Sequence, residues 1–205
     1  LKIVTLEQGT PEWHAWRLEG IGASEAPMVL GISKYKTAHK LWQEKTGAIE
    51  IKDDFNFIFE KGKTIEAKAR AYFELMNDKE CPPICLEHSV YPFIRASLDG
   101  YNEAENFALE IKYVGKDAME DEIPPHHYAQ LQHQMMVSGA MDITYIRSND
   151  GVVFKADVVK RDNAYIDNLL SKELTFWDMV QRKIEPPIPE KKPRKKKTVD
   201  AMPKA

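Results

Sequence analysis

Ser97-Leu98-Asp99-Gly100 and, after a short polar connection, Ala108-Leu109-Glu110-Ile111-Lys112-Tyr113 form the stretch from which the rest of the chain can be read. Phe107, Leu109, Ile111 and Tyr113 alternate as in a β-strand, and a period of two sends Glu110 and Lys112 together to the opposite face. Two carboxylates and an ammonium gathered beside an apolar segment are costly without a compensating charge. A divalent cation supplies that charge. Mg²⁺ prefers hard oxygen ligands, takes one or two carboxylates and keeps positions for water and substrate. Lys112 would then stand beside the attacking water, helping it lose a proton and countering charge on a phosphate. The alternative is plainer: Asp99 is a turn residue before Gly100, and Glu110 and Lys112 are a solvated pair on an edge strand. So short a pattern does not by itself separate the two readings.

Length and composition narrow the class. The chain has 205 residues, enough for one large domain with a real core, and 43% hydrophobic and 30% charged residues are ordinary for a globular protein. No apolar run reaches the length of a membrane span and no signal-peptide pattern opens the chain, so the expected location is cytoplasmic, without a membrane partner. Cys81 and Cys85 flank Pro-Pro-Ile, a spacing too sparse for a zinc site, and read as reduced thiols without a bridge. The net charge of −3 divides into +5 on the last sixteen residues and −8 on the rest. An acidic body does not advertise nucleic-acid binding, so a DNA site would need positive charge concentrated locally.

Outward from the central stretch, the element signals are mostly helical. Thr10-Pro11-Glu12 predicts a capped helix carrying Trp13, Trp16 and Arg17 to near Gly20. Gly22-Ala23-Ser24-Glu25 predicts a second, short helix with Ser24 as N-cap, ending around Gly31. A third is expected from Thr37 to Gly47, the latter a C′ glycine. A longer helix is expected from about Asp54 to Asn77, with Ile58, Gly62, Ile65, Ala69, Phe73 and Met76 along one stripe. Glu66 falls on the border of that stripe, where an i,i+4 pair with Arg70, worth about 0.3 kcal/mol, competes with a functional role.

Strands are expected at Ile84–Tyr91, Phe93–Ser97 and Phe107–Tyr113. Pro124-Pro125 then introduces a helix to about Ser138. Its apolar side is Tyr128, Leu131 and Met135; its other side is His126, Gln130, His133 and Gln134, with the two histidines on a shared face as solvated groups or ligands. Two strands, Asp142–Arg147 and Val152–Val159, are joined by the hairpin signal Asn149-Asp150-Gly151, and a helix from Asp162 to Lys183 closes the fold. Residues 1–184 therefore read as one domain. Residues 185–205 read as a Pro-rich linker and basic, disordered tail, either touching DNA phosphates or serving solubility.

An acid on a helix, then Asp and Glu-x-Lys on adjacent strands, then a helix bearing Gln130, resembles the PD-(D/E)xK nuclease core. That resemblance implies an α/β (α+β) fold with a central mixed sheet flanked by helices. Leu98 stands where that family often has Pro. Further segments resemble the phage lambda exonuclease/YqaJ viral recombinase group. They are Trp16-Arg17-Leu18, Ile21-Gly22-Ala23-Ser24-Glu25, Tyr35-Lys36-Thr37, Leu41-Trp42-Gln43-Glu44-Lys45-Thr46-Gly47, Gly62-Lys63-Thr64-Ile65-Glu66 and Ala129-Gln130-Leu131-Gln132. The likeness runs in order from about Thr10 to Ser138.

The resemblance implies that Asp99 and Glu110 hold metal with the Ile111 carbonyl, and that Glu66 assists a second metal. It implies that Lys112 activates or orients the water, and that Arg17, Ser24, Ser97 and Gln130 grip a terminal 5′ phosphate. An Arg fork suits phosphate, and a Ser at a helix N-terminus sits where anions are favoured. The implied activity is Mg²⁺-dependent 5′→3′ digestion of one strand of linear double-stranded DNA, with Mn²⁺ as a substitute metal, leaving a 3′ single strand and mononucleotides. The implied setting is a homotrimeric ring in a bacterial host cell, phage or prophage encoded, working with a single-strand annealing protein in recombination. Two rivals share the fold: a structure-specific endonuclease or resolvase, for which Arg17 and Ser24 have no use, and a non-catalytic DNA-end-binding subunit, which has no need of Glu66, Asp99, Glu110 and Lys112 together.

Overall fold

Thr10 caps the first helix by accepting a hydrogen bond from the Trp13 amide at 3.3 Å, and Pro11 supplies a preset φ at its first position. In the computed structural model, which describes residues 1–50, 57–115, 119 and 122–188, this helix is α1, Pro11–Leu18. The strand β1, Lys2–Val4, precedes it. After it come β2, Ile21–Gly22, a one-turn 3₁₀ helix, Ala23–Glu25, and the helices α2, Ala26–Val29, and α3, Ala38–Lys45. The long helix α4, Phe57–Asn77, leads to β3, Ile84–Glu87, β4, Ile94–Leu98, β5, Gly100–Asn102, and β6, Phe107–Tyr113. Helix α5, Pro125–Ser138, β7, Asp142–Ser148, β8, Phe154–Lys160, and α6, Asn163–Gln181, complete the chain.

The strands form two four-stranded mixed sheets, β1-β3-β4-β2 and β5-β6-β7-β8. Strand β4 ends at Leu98 and β5 begins at Gly100, so Asp99 is the single residue at the joint between the sheets. Gly100 pairs with Leu109 on the antiparallel neighbour β6, which brings the joint alongside Glu110. Only glycine fits there: a Cβ on Gly100 would lie 2.8 Å from the Cys81 carbonyl and 3.1 Å from Leu109. Strands β6 and β7 are parallel, and α5 is the crossover between them.

The period-two reading of β6 holds in three dimensions. Leu109 and Ile111 pack with Ala69 and Phe73 of α4 and Ile146 of β7. Glu110 points the other way, toward α5. The largest core lies on that side, where Leu86, Ile94, Ala96 and Leu98 meet Leu131, Met135 and Met136 of α5 and Ile143 and Tyr145 of β7. Two smaller clusters seat Trp13 and Trp16 of α1 against Cys85, and Leu41 and Trp42 of α3 against Phe176 and Val180 of α6. Both cysteines are free and buried, as expected of reduced thiols. Among the described residues no helix is long and apolar enough to cross a membrane.

Several expected boundaries move, each for a local reason. Ser24 is not an N-cap: Gly22 precedes the 3₁₀ turn, and the cap bond runs from the Gly22 amide to the Glu25 carboxylate at 2.8 Å. The strand expected to reach Tyr91 stops at Glu87, because His88 Nδ1 accepts the amides of Val90 and Tyr91 and turns the chain. Met76, expected on the apolar stripe of α4, is exposed, and it is not among the residues that pack with Ala69 and Phe73. The expected start of α4 near Asp54, and most of the basic tail, lie outside the described residues. Between β7 and β8 the connection takes five residues, 149–153, instead of a tight hairpin. Gly151 there has φ +81°, and a Cβ on it would come within 2.6 Å of Lys68, so this turn seats itself on α4.

Candidate active site

Asp99, at the sheet joint, accepts the Ile111 amide through Oδ2 at 2.7 Å, which ties the joint to β6. Glu110, one step along that strand, is 1% exposed, and its two oxygens are held from separate directions. Gln130 Nε2 donates to Oε1 at 2.6 Å and Gln134 Nε2 donates to Oε2 at 2.5 Å. The two glutamines are one helical turn apart on α5, so the crossover helix itself aims this carboxylate. The Lys112 ammonium also contacts Glu110 Oε1. From the other side of the sheet α4 contributes Glu66 and Arg70. Arg70 donates to the Asp99 carbonyl at 2.8 Å and stands 3.5 Å from Glu66 Oε1. The i,i+4 pair weighed for Glu66 therefore exists, and it also places Glu66 beside the joint.

The opposite wall is built from α1 and the 3₁₀ turn. Arg17 lies over the Trp13 ring, 4.7 Å from its centroid, and its Nη2 donates to Ser24 Oγ at 2.9 Å. Trp13 Nε1 donates to Ser97 Oγ at 2.9 Å, and the same hydroxyl stands 3.7 Å from Cys85 Sγ. Between this wall and the acids runs a cleft of about 640 Å³. Arg17, Ser24, Ser97, Gln130, Glu66, Asp99, Glu110, Ile111 and Lys112 all line it. Every residue expected at the site thus reaches one cavity, from four helical or turn segments, two strands and the joint between the sheets.

The electrostatics of the floor are frustrated. Burial pushes the Asp99 carboxyl well above the usual range, and Glu110 and Glu66 push it further; Lys112 and the Ile111 amide oppose this without prevailing. Glu66 is raised by burial and by Glu110, against Arg70 and Lys112. Burial would lower Lys112, but Glu110 and Asp99 outweigh it and hold the lysine firmly as an ammonium. Three carboxylates thus share one ammonium and one guanidinium, and the surplus negative charge is what a cation would neutralise. Among the described residues no three His, Cys, Asp or Glu side chains enclose one point as a complete cage. The donor set fits a hard ion that takes two carboxylates and a carbonyl and fills its remaining positions with water or substrate oxygens, as Mg²⁺ does.

Sequence reading missed three contributors. Gln134 was assigned only a polar face, although its spacing of four from Gln130 was the available signal. Arg70 was counted only as a partner of Glu66, yet it fixes the backbone of Asp99. His14 also lines the cleft and no pattern singles it out, whereas Lys63, which lines it too, lies in the segment Gly62–Glu66. The two histidines expected to share a face of the helix have different surroundings along it. His126 lies against Tyr35 with ring centroids 6.2 Å apart, whereas His133 is wholly buried with Nδ1 at 2.7 Å from Glu173 Oε1.

Residues 12–141 match the family model of the YqaJ-like viral recombinase domain. The uncharacterized protein YqaJ of Bacillus subtilis (strain 168) is 31% identical over 183 residues, covering 84% of this chain and 56% of that protein. The chain thus spans little more than half the length of that relative. Among solved structures, an alkaline exonuclease (LHK-Exo) from Laribacter hongkongensis superposes with a TM-score of 0.72 at 20% identity. The match covers 86% of this chain and 95% of that one. A phage related exonuclease from Haemophilus somnus 129PT gives 0.56 at 15% identity, covering 80% and 95%. These two likenesses establish a shared mixed α/β fold. The profile match begins inside α1, ends beyond α5 and contains every side chain named above as an expected ligand, base or phosphate contact; on that ground the chain belongs to the YqaJ-like viral recombinase domain family.

Proposed function

We propose that the protein is a metal-dependent deoxyribonuclease that digests one strand of linear duplex DNA from a 5′ end and leaves a 3′ single-stranded overhang for recombination. One observation carries this reading: a buried carboxylate–lysine floor and an arginine–serine wall face each other across a single cleft. The floor suits phosphodiester hydrolysis and the wall suits a terminal phosphate, which only a chain end presents. The family membership and the fold shared with exonucleases support the same reading.

Asp99, Glu110 and the Ile111 carbonyl would hold the cation, with Glu66 beside a second. When bound, the ion lends Lewis acidity to the scissile phosphate. The protein's own groups do the rest. Gln130 and Gln134 fix the Glu110 carboxylate so that both of its oxygens keep their directions. Lys112, an ammonium, activates or orients the attacking water and balances the charge that develops on phosphate. Arg17 and Ser24 bind the 5′ phosphate and place the next linkage over the floor. The closed ring of three subunits and the annealing partner belong to the same proposal. Such a ring would confine positive charge to its lumen and so reconcile DNA binding with an acidic body.

The test is digestion of one plasmid in two forms, linearised and covalently closed, in Mg²⁺ and in Mn²⁺. Progressive loss of the linear form alone is expected. Nicking or linearisation of the closed form would make the protein an endonuclease and remove the chain-end reading.

A further inference from the structure

Behind Arg17 the structure carries a buried ion pair that the hydrolytic scheme does not use. Lys45, in the last turn of α3, has a side chain only 2% exposed. Its ammonium donates to the Arg17 carbonyl at 2.7 Å and to Glu25 Oε2 at 2.8 Å. Glu25 Oε2 also accepts the Gly22 amide, and its other oxygen stands 3.8 Å from Arg17 Nη2. Arg17 is therefore held at both ends: Lys45 fixes its backbone at the close of α1, and Glu25, with Ser24 and the Trp13 ring, fixes its guanidinium. Burial would raise the Glu25 carboxyl, yet Lys45 and Arg17 outweigh it and hold the group below its usual range; at Lys45 burial prevails over the pull of Glu25 and lowers the ammonium, which is the desolvation cost of the pair.

Packing alone does not call for this arrangement. A buried ammonium and carboxylate are costly to desolvate, and apolar side chains of similar volume would fill the same space. A free arginine side chain loses rotamer freedom when it grips an anion, whereas one already held in place loses little. We propose that Lys45 and Glu25 are positioning residues that hold Arg17 over the cleft and thereby set the preference for a phosphorylated 5′ end. This rests on the reading of Arg17 as the phosphate contact. A purely structural pair would stabilise the junction of α1, the 3₁₀ turn and α3 and leave the preference alone.

The deciding variant is Glu25→Gln/Lys45→Met. It removes both charges together, so the net charge near Arg17 is unchanged and no orphan ion is left. A change in preference then reports on the placement of Arg17. Lys45→Gln, which keeps one donor for the Arg17 carbonyl, is the second variant. The measurement is fluorescence anisotropy in EDTA, titrating full-length protein onto otherwise identical 5′-phosphoryl and 5′-hydroxyl duplexes, with a melting curve for each protein. The wild type is expected to bind the phosphorylated end about 10–100-fold more tightly, the size of a charge-assisted hydrogen bond. The double variant should lose most of that ratio, and Lys45→Gln part of it. A folded double variant with the wild-type ratio overturns the positioning role and leaves Arg17 as the phosphate contact. A wild type that binds both ends equally overturns that reading of Arg17 and this inference with it.

Discussion

At Asp99 five influences act on one carboxyl group: burial and two neighbouring carboxylates disfavour its charge, while one backbone amide and the Lys112 ammonium favour it. A carboxyl whose folded value is raised binds more protons in the folded than in the unfolded state, so its ionisation at neutral pH works against folding. Asp99→Asn keeps an oxygen for the Ile111 amide and removes the repulsion. In EDTA at pH 7.5 this variant is expected to melt above the wild type, by about 2–4 °C for each kcal/mol relieved in a protein of this size. Adding Mg²⁺ or Mn²⁺ should raise the melting temperature of the wild type and leave the variant almost unmoved. Equal responses of the two proteins would show that Asp99 is not a ligand. At this scale the sequence was informative about the acids and Lys112, because strand alternation fixes which side chains share a face. It was silent on Gln134 and Arg70, whose importance lies in contacts with backbone and carboxylates distant in the chain.

Helix α5 shows where element-level reading fails. Its expected apolar side was only Tyr128, Leu131 and Met135, yet positions 129–138 are all buried. Each polar side chain instead finds a specific partner inside. Gln132 donates to the Lys160 carbonyl at 2.9 Å and accepts the Asp162 amide at 2.9 Å, and His133 Nε2 lies 2.9 Å from the Arg95 carbonyl. Polarity therefore did not report exposure. Helices α1, α3 and α6 were legible because caps and an apolar stripe coincide, whereas β1, β2 and β5 have two or three residues and show no period.

The pair His133–Glu173 makes a test at this scale. Burial would lower the imidazole, but the Glu173 carboxylate and the Arg95 carbonyl raise it above its ordinary value. A histidine with a raised folded value contributes stability that is complete below about pH 6.5 and fades as pH rises through the folded value. Glu173→Gln breaks a buried pair, a loss of about 3–5 kcal/mol. Its melting temperature should fall furthest below the wild type near pH 6, and the gap should narrow as pH rises to 9. A gap that stays constant across that range would mean that His133 is neutral in the fold.

Over the whole molecule the two sheets meet at one residue, and the cleft lies where they meet. That arrangement explains why residues nearly a hundred positions apart, Arg17 and Lys112, line one cavity. The architecture could be anticipated because acid-bearing helix, Asp, Glu-x-Lys and Gln-bearing helix occur in a fixed order, and the fold shared with LHK-Exo agrees. The split into two four-stranded sheets could not, since the strand expected at Phe93–Ser97 ends before Asp99 and the three residues of β5 show no period. The central claim is that this cleft cuts DNA from a 5′ end, and it is tested most directly with a linear duplex carrying one labelled 5′ phosphate. Wild-type protein in Mg²⁺ should release the label first as a mononucleotide. EDTA should stop the release, and Lys112→Ala should slow it by about 10²–10³-fold while still binding the duplex. Absence of release in both Mg²⁺ and Mn²⁺, first appearance of the label in internal fragments, or an undiminished rate from Lys112→Ala would contradict the account.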